Sequence, residues 1–89
     1  MMQEITLIIK NKLGLHARPA AQLVQTANKF KSRIKIFKDD QEVDGKSIMG
    51  IMTLAACCGA TLRIVVDGED EISAIQELSK LFESGFGEE

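Results

Sequence analysis

The sequence predicts an α/β (α+β) protein: an open-faced two-layer sandwich of order βαββαβα, its four-stranded antiparallel sheet covered on one face by three helices. Three observations carry this expectation. Short segments alternate apolar and polar residues with the period of a half-buried strand, and the segments between them repeat apolar residues every three or four positions, the period of a helix. The chain has 89 residues, room for a single domain (1–89) with a modest core. The first strand–helix–strand unit is a crossover. If the fourth strand slots between strands one and two, every neighbour is antiparallel. Helices then cover one face, and the other stays partly open to solvent.

The elements follow in order. Residues 3–9 alternate at Ile5, Leu7 and Ile9 and read as a strand; residues 10–16 are loop, punctuated by Gly14. From Ala17 to about Lys29 a stripe of Ala17, Ala20, Ala21, Val24 and Ala27 reads as a helix, with Leu23 and Phe30 at its edge. Residues 33–38 alternate again with Ile34 and Ile36 inward, Asp39-Asp40 is a tight turn, and Gln41–Val43 returns as a short strand. Ser47 stands before an apolar run as an N-cap should, so Ile48 to about Leu54 reads as a short helix. Residues 60–66 form the fourth strand and Asp67-Gly68 turns out of it. Asp70 or Glu71 opens the last helix, acidic at its N-terminus, with Ala74, Ile75, Leu78, Leu81 and Phe82 buried; Gly85 and Gly87 mark its end.

Composition narrows the class. Apolar residues make up 45% and the net charge is −2, which excludes a disordered chain. With four Phe and no Trp or Tyr the core is aliphatic. Residues 1–66 carry a balance of +5 and residues 67–89 one of −7, two faces of opposite sign rather than the basic footprint of a nucleic-acid binder. Cys57 and Cys58 are adjacent in an apolar stretch and read as two small buried hydrophobes; a bond between neighbours is strained, and two thiols do not make a zinc site. Residues 1–10 alternate like a strand and carry Glu4, unlike a secretory signal. The longest uncharged run, residues 48–62, is broken by two glycines and falls short of the ~20 residues that span a bilayer. A cytoplasmic protein with no membrane insertion is expected.

The chemistry concentrates at Gly14-Leu15-His16-Ala17-Arg18-Pro19-Ala20, which holds the chain's one His and one Pro. His16 falls at or near the N-cap, and Pro19 sits in the first turn, where its missing N–H costs little. The first amides of a helix lack internal partners and the dipole is positive there. An anion beside His16 would meet the amides of Ala17 and Arg18 and the Arg18 guanidinium. The same field favours a neutral imidazole, a competent nucleophile. These properties suit a residue that takes a phosphoryl group and gives it away. On spacing alone, an ordinary surface His and Arg at a helix start is the simpler account.

The motif GLHARPAAQLV closely resembles the active-centre segment of the HPr family, the histidine-containing phosphocarriers of the bacterial phosphoenolpyruvate:sugar phosphotransferase system. Ser47-Ile48-Met49-Gly50-Ile51-Met52 resembles the family's regulatory-serine segment, and Gly68-Glu69-Asp70-Glu71 its turn into the last helix. The resemblance implies an open-faced sandwich and assigns roles. His16 matches the histidine that accepts phosphate at Nδ1 from phospho-enzyme I and passes it to IIA proteins. Arg18 matches the arginine that stabilises the transferred group. Ser47 matches the serine phosphorylated by an HPr kinase/phosphorylase. Ile48, Met49 and Met52 match an apolar docking patch, with Leu15 and Gln22 near it.

Such a carrier is a stoichiometric phosphoryl carrier rather than an enzyme, needs no metal or organic cofactor, and works as a monomer that serves several partners. The ending Leu81–Phe86 resembles the nitrogen-related paralogue, so a regulatory relay is the alternative to sugar uptake, and His16 argues against the paralogue Crh, which lacks that histidine. The rival from another class is a thiol redox or metal protein built on Cys57, Cys58 and His16. A nucleic-acid role is weaker still.

Overall fold

The computed structural model describes residues 2–88. Its elements are β1 (Met2–Ile8), α1 (Ala17–Ala27), β2 (Arg33–Lys38), β3 (Gln41–Asp44), α2 (Ile48–Thr53), β4 (Thr61–Asp67) and α3 (Glu71–Glu83), followed by a single 3-10 turn, Gly85–Gly87. The sheet order is β1-β4-β2-β3, and every pairing is antiparallel. The fourth strand thus takes the place the sequence left for it.

Register explains why this order is favoured. Ile5 faces Ile64 and Leu7 faces Leu62 across β1–β4, while Ile34 faces Val66 and Ile36 faces Ile64 across β2–β4. Each inward apolar residue therefore meets another, and a one-residue slip would send the whole set to solvent. The helices pack over this face, with Ala20, Leu23 and Ala27 of α1, Ile51 of α2, and Ala74, Leu78 and Phe82 of α3 buried against it. On the open face the polar side chains cover one another. The Arg63 guanidinium lies 4.1 Å from the centre of the Phe37 ring, Arg63 pairs with Glu4 at 3.4 Å, and Lys35 pairs with Glu42 at 3.4 Å.

Several expectations need correction. Ala17 is exposed, while Leu23 sits at the centre of the buried face of α1 rather than its edge. Ala17 is the first residue of the helix, ahead of the turn that reaches the sheet, and the longer Leu side chain takes the deeper position. The helix also stops at Ala27 rather than near Lys29, where Asn28 folds its side-chain amide back onto the Val24 carbonyl at 3.0 Å. Cys57 and Cys58 are both exposed. They lie in the loop between α2 and β4, where neither helical nor strand periodicity turns a side chain inward.

Asp70 precedes α3 but makes no side-chain cap there. Its carboxylate instead accepts from the Lys31 amide at 2.8 Å, the Ser32 amide at 3.0 Å and the Ser32 hydroxyl, pinning the α1–β2 loop. The Ser32 hydroxyl, and then the Lys31 amide, hold the Asp70 carboxyl below its ordinary range. Glu71 is likewise held down, chiefly by the Gly68 amide. Because folding lowers both pKa values, this stabilisation is present above the unfolded-state values near 4 and is lost as pH falls through the lower folded-state ones. Urea midpoints measured from about pH 7 to about pH 2 should therefore drop on the acid side, and less steeply in Asp70→Asn.

Candidate functional site

The loop from Asn11 to Leu15 delivers the chain to α1. Gly14 turns it with φ +71°, and Leu15 then bonds to the Ala56 carbonyl at 2.9 Å through its amide. His16 is the N-cap of α1, in extended conformation, and its side chain makes no cap hydrogen bond. The first bond of the helix runs from the Ala20 amide to the His16 carbonyl at 3.0 Å. The amides of Ala17 and Arg18 stand ahead of that ladder, and Pro19 has no N–H to add. An anion reaching His16 meets these two amides and the positive helix end.

The imidazole turns instead toward the end of the chain. Its Nε2 lies 2.9 Å from Oε2 and 3.1 Å from Oε1 of Glu88. A carboxylate only accepts, so Nε2 is the donor, and in the neutral ring Nδ1 keeps the lone pair. The His16 bond holds the Glu88 carboxyl below its ordinary range, with help from the Asn11 amide and from the charges of His16 and Arg18. The structure thus brings Glu88 to His16, with Arg18 exposed in the first turn of the helix that His16 caps. The expected field of the helix end is not the sole influence on the imidazole, since a carboxylate faces it from the other side.

Asn11 and Glu88 were absent from the expected site. Asn11 is buried, and its Nδ2 donates to the Gly14 carbonyl at 2.7 Å and to Glu88 at 3.0 Å. A terminal acidic residue and a loop Asn carry no signal in one sequence, because only the packing of the tail brings them to His16.

The expected docking residues divide. Met49 is 73% exposed, and Ile48 and Met52 are each 41% exposed, while Ile51 is fully buried. Six residues of helix fix this split: Ile51 faces the sheet, so the others point outward. Gln22 is half-buried on α1, which packs against α2. Leu15 departs from expectation: it is only 4% exposed and belongs to the core, since its amide bond to Ala56 sets it under the α2–β4 loop. Ser47 caps α2 as expected, its Oγ accepting from the Gly50 amide at 3.1 Å. Ser47→Ala should cost about 1 kcal/mol in urea unfolding. Among the described residues no group of three or more His, Cys, Asp or Glu is placed to hold a metal ion, and no helix is long and apolar enough to cross a membrane.

The open-faced sandwich carries its one histidine at the head of the first helix, a geometry suited to a small phosphocarrier. Comparison with known proteins gives that class. The family described as "PTS HPr component phosphorylation site" matches residues 3–84. The phosphocarrier protein HPr of Xylella fastidiosa (strain 9a5c) is 53% identical over 88 residues, covering 99% of both chains. The crystal structure of HPr-C-His from Thermoanaerobacter tengcongensis superposes with a TM-score of 0.94 at 54% identity, covering 98% of both chains. An HPr dimer from the same organism superposes with a TM-score of 0.79 at 53% identity, covering 97% of this chain and 99% of that one. The chain belongs to the HPr family of phosphocarriers of the phosphotransferase system.

Proposed function

We propose that His16 is the phosphoryl acceptor. Its Nδ1 lone pair attacks the phosphorus of phospho-enzyme I, the N–P bond to His16 forms as the donor's bond to phosphorus breaks, and the group later passes to a IIA protein. The observation that carries this reading is the His16 side chain itself. It neither caps the helix nor enters the core, and it stands before the amides of Ala17 and Arg18 with Nε2 already bonded to Glu88. Phosphoryl transfer needs positioning and charge stabilisation more than covalent machinery, and Arg18 with the two amides supplies both. The protein acts stoichiometrically, as a carrier in the cytoplasm, within one domain and without a cofactor.

Exposed Ile48, Met49 and Met52, with Gln22 beside them, form the docking surface for enzyme I and IIA proteins. Met suits it, because a flexible thioether adapts to different partners. Ser47 borders that patch, which favours a second reading, regulation by phosphorylation state through an HPr kinase/phosphorylase. A phosphate there adds about −1.5 to −2 charge beside the patch. Ser47→Asp should weaken binding to enzyme I roughly tenfold in titration calorimetry. An unchanged affinity would detach Ser47 from docking. A surface that serves several partners suits a monomer, and sedimentation at working concentration decides between that and a dimer.

Incubation with phosphoenolpyruvate and enzyme I, followed by intact mass measurement before and after acid, tests the main reading. An acid-labile gain of one phosphoryl group supports it. No gain with an enzyme I that loads another HPr would sink it.

A further inference from the structure

The loop between α2 and β4 carries two nucleophiles that the phosphoryl chemistry does not use. Cys57 and Cys58 are both free thiols and both exposed. Ala55 holds φ +48° just before them, where the chain leaves α2. Each thiol makes one long contact. Cys57 Sγ donates to the Ala55 carbonyl at 3.7 Å, and Cys58 Sγ to the Lys10 carbonyl at 3.7 Å. The backbone of this loop is bonded to the segment that delivers His16. The Leu15 amide donates to the Ala56 carbonyl at 2.9 Å, and the Gly59 amide to the Ile9 carbonyl at 2.8 Å. Gly14 lies so close that a Cβ on it would stand 2.9 Å from Cα of Cys57. The two thiols thus stand on a loop that follows exposed Met52 and packs on the segment leading to His16.

We infer that Cys57 and Cys58 form a modification site, where a low-molecular-weight disulfide caps a thiol and thereby slows phosphoryl loading of His16. The inference rests on the reading of His16 as acceptor and of α2 as docking surface. In the capping step a cysteine thiolate attacks one sulfur of the disulfide. A new S–S bond forms as the old one breaks. The cysteine sulfur is oxidised, and the departing thiol is reduced and takes up the proton that the cysteine released. The neighbouring cysteine is poorly placed to undo the cap. To expel it, Cys57 and Cys58 would have to bond to each other. Adjacent Cα atoms stand about 3.8 Å apart, short of the roughly 4.4–6.8 Å that disulfides usually span. The mixed disulfide is therefore the product that accumulates, until an external thiol removes it. The cap acts by its bulk. It fills solvent beside the surface that a partner must cover to bring its phosphoryl group to Nδ1 of His16. The core stays as it is, because neither thiol is part of it.

Oxidised glutathione is the probe, because disulfide exchange oxidises thiols and spares the thioethers of Met49 and Met52. The full chain is treated with it and freed of excess. Intact mass and the rate of loading from phosphoenolpyruvate and enzyme I are then measured. The mass should rise by one glutathionyl group or two. Loading should slow roughly tenfold and return to its starting rate after dithiothreitol, with circular dichroism unchanged throughout. Cys57→Ser combined with Cys58→Ser should take no adduct, load like the reduced protein, and be indifferent to the treatment. The inference is overturned if the unaltered chain takes no adduct, or if it loses a hydrogen pair instead. It is also overturned if the capped chain loads within a factor of about two of the reduced one, or if slowing comes with loss of the folded spectrum. In each of these cases the reduced protein still loads, and the acceptor reading stands. No loading of the reduced protein would remove both.

Discussion

Phosphoryl loading is expected to vanish in His16→Ala and to fall roughly a hundredfold in Arg18→Ala. The chain has one imidazole, and no other side chain stands at the head of α1 with a ring nitrogen free to attack. Arg18 acts differently. It is exposed, so in the free protein its charge is well screened and its substitution should leave the fold intact. Its effect belongs to the transition state, where negative charge spreads over the phosphoryl oxygens. The Ala17 and Arg18 amides remain in the variant because they are backbone, so the loss should stop near the lower end of what one such donor supplies, roughly a hundredfold to a thousandfold. Arg18→Lys keeps the charge without the planar fork and should recover only part of the rate. Rapid-quench measurement of loading by enzyme I reads all three. Loading of Arg18→Ala within a factor of about two of the unaltered protein would remove Arg18 from the step and leave the helix end alone to stabilise the group.

The fold was legible because each strand is half-buried and therefore writes its inward face into the sequence. Ile5, Leu7 and Ile9, then Ile34 and Ile36, then Leu62, Ile64 and Val66 alternate, and the observed register pairs the strand residues among them. His16 and Ser47 were legible because helix starts have chemical signatures, and both are N-caps. Apart from the edges of α1, errors fell where neither periodicity nor capping applies. The resemblance puts Leu15 near the docking patch, but its amide bond to Ala56 draws it inward. The cysteines looked like core because their neighbours are apolar, yet loop backbone turns them out. Glu88 and Asn11 were invisible for a different reason. Their role depends on Phe86 folding back against Phe82, a tertiary contact that no local pattern encodes.

Gly14→Ala should destabilise the protein strongly, and the reason is the backbone rather than the side chains. Gly14 holds φ +71°, and a Cβ there would lie 2.5 Å from the Ala56 carbonyl oxygen and 2.9 Å from Cα of Cys57. Both are main-chain atoms, so no rotamer can relieve the contact. That same carbonyl accepts the Leu15 amide, and the Gly14 carbonyl accepts from Asn11. Relaxing the clash therefore breaks the bonds that set the entry to α1. Left-handed backbone alone costs an L-residue about 1–2 kcal/mol, and the steric term should bring the total to about 3 kcal/mol or more. At roughly 4–8 °C per kcal/mol for a domain of this size, the melting temperature should fall by about 12 °C or more. Gly59→Ala is the control. It has φ +90° but nothing within 4 Å of its would-be Cβ, so it should lose only the conformational share, about 1–2 kcal/mol. If calorimetry finds the two variants equally unstable, the close approach at Ala56 contributes nothing. If Gly14→Ala alone drops further and also loads phosphate slowly below its melting point, the loop that packs Gly14 against Ala56 is what aims His16.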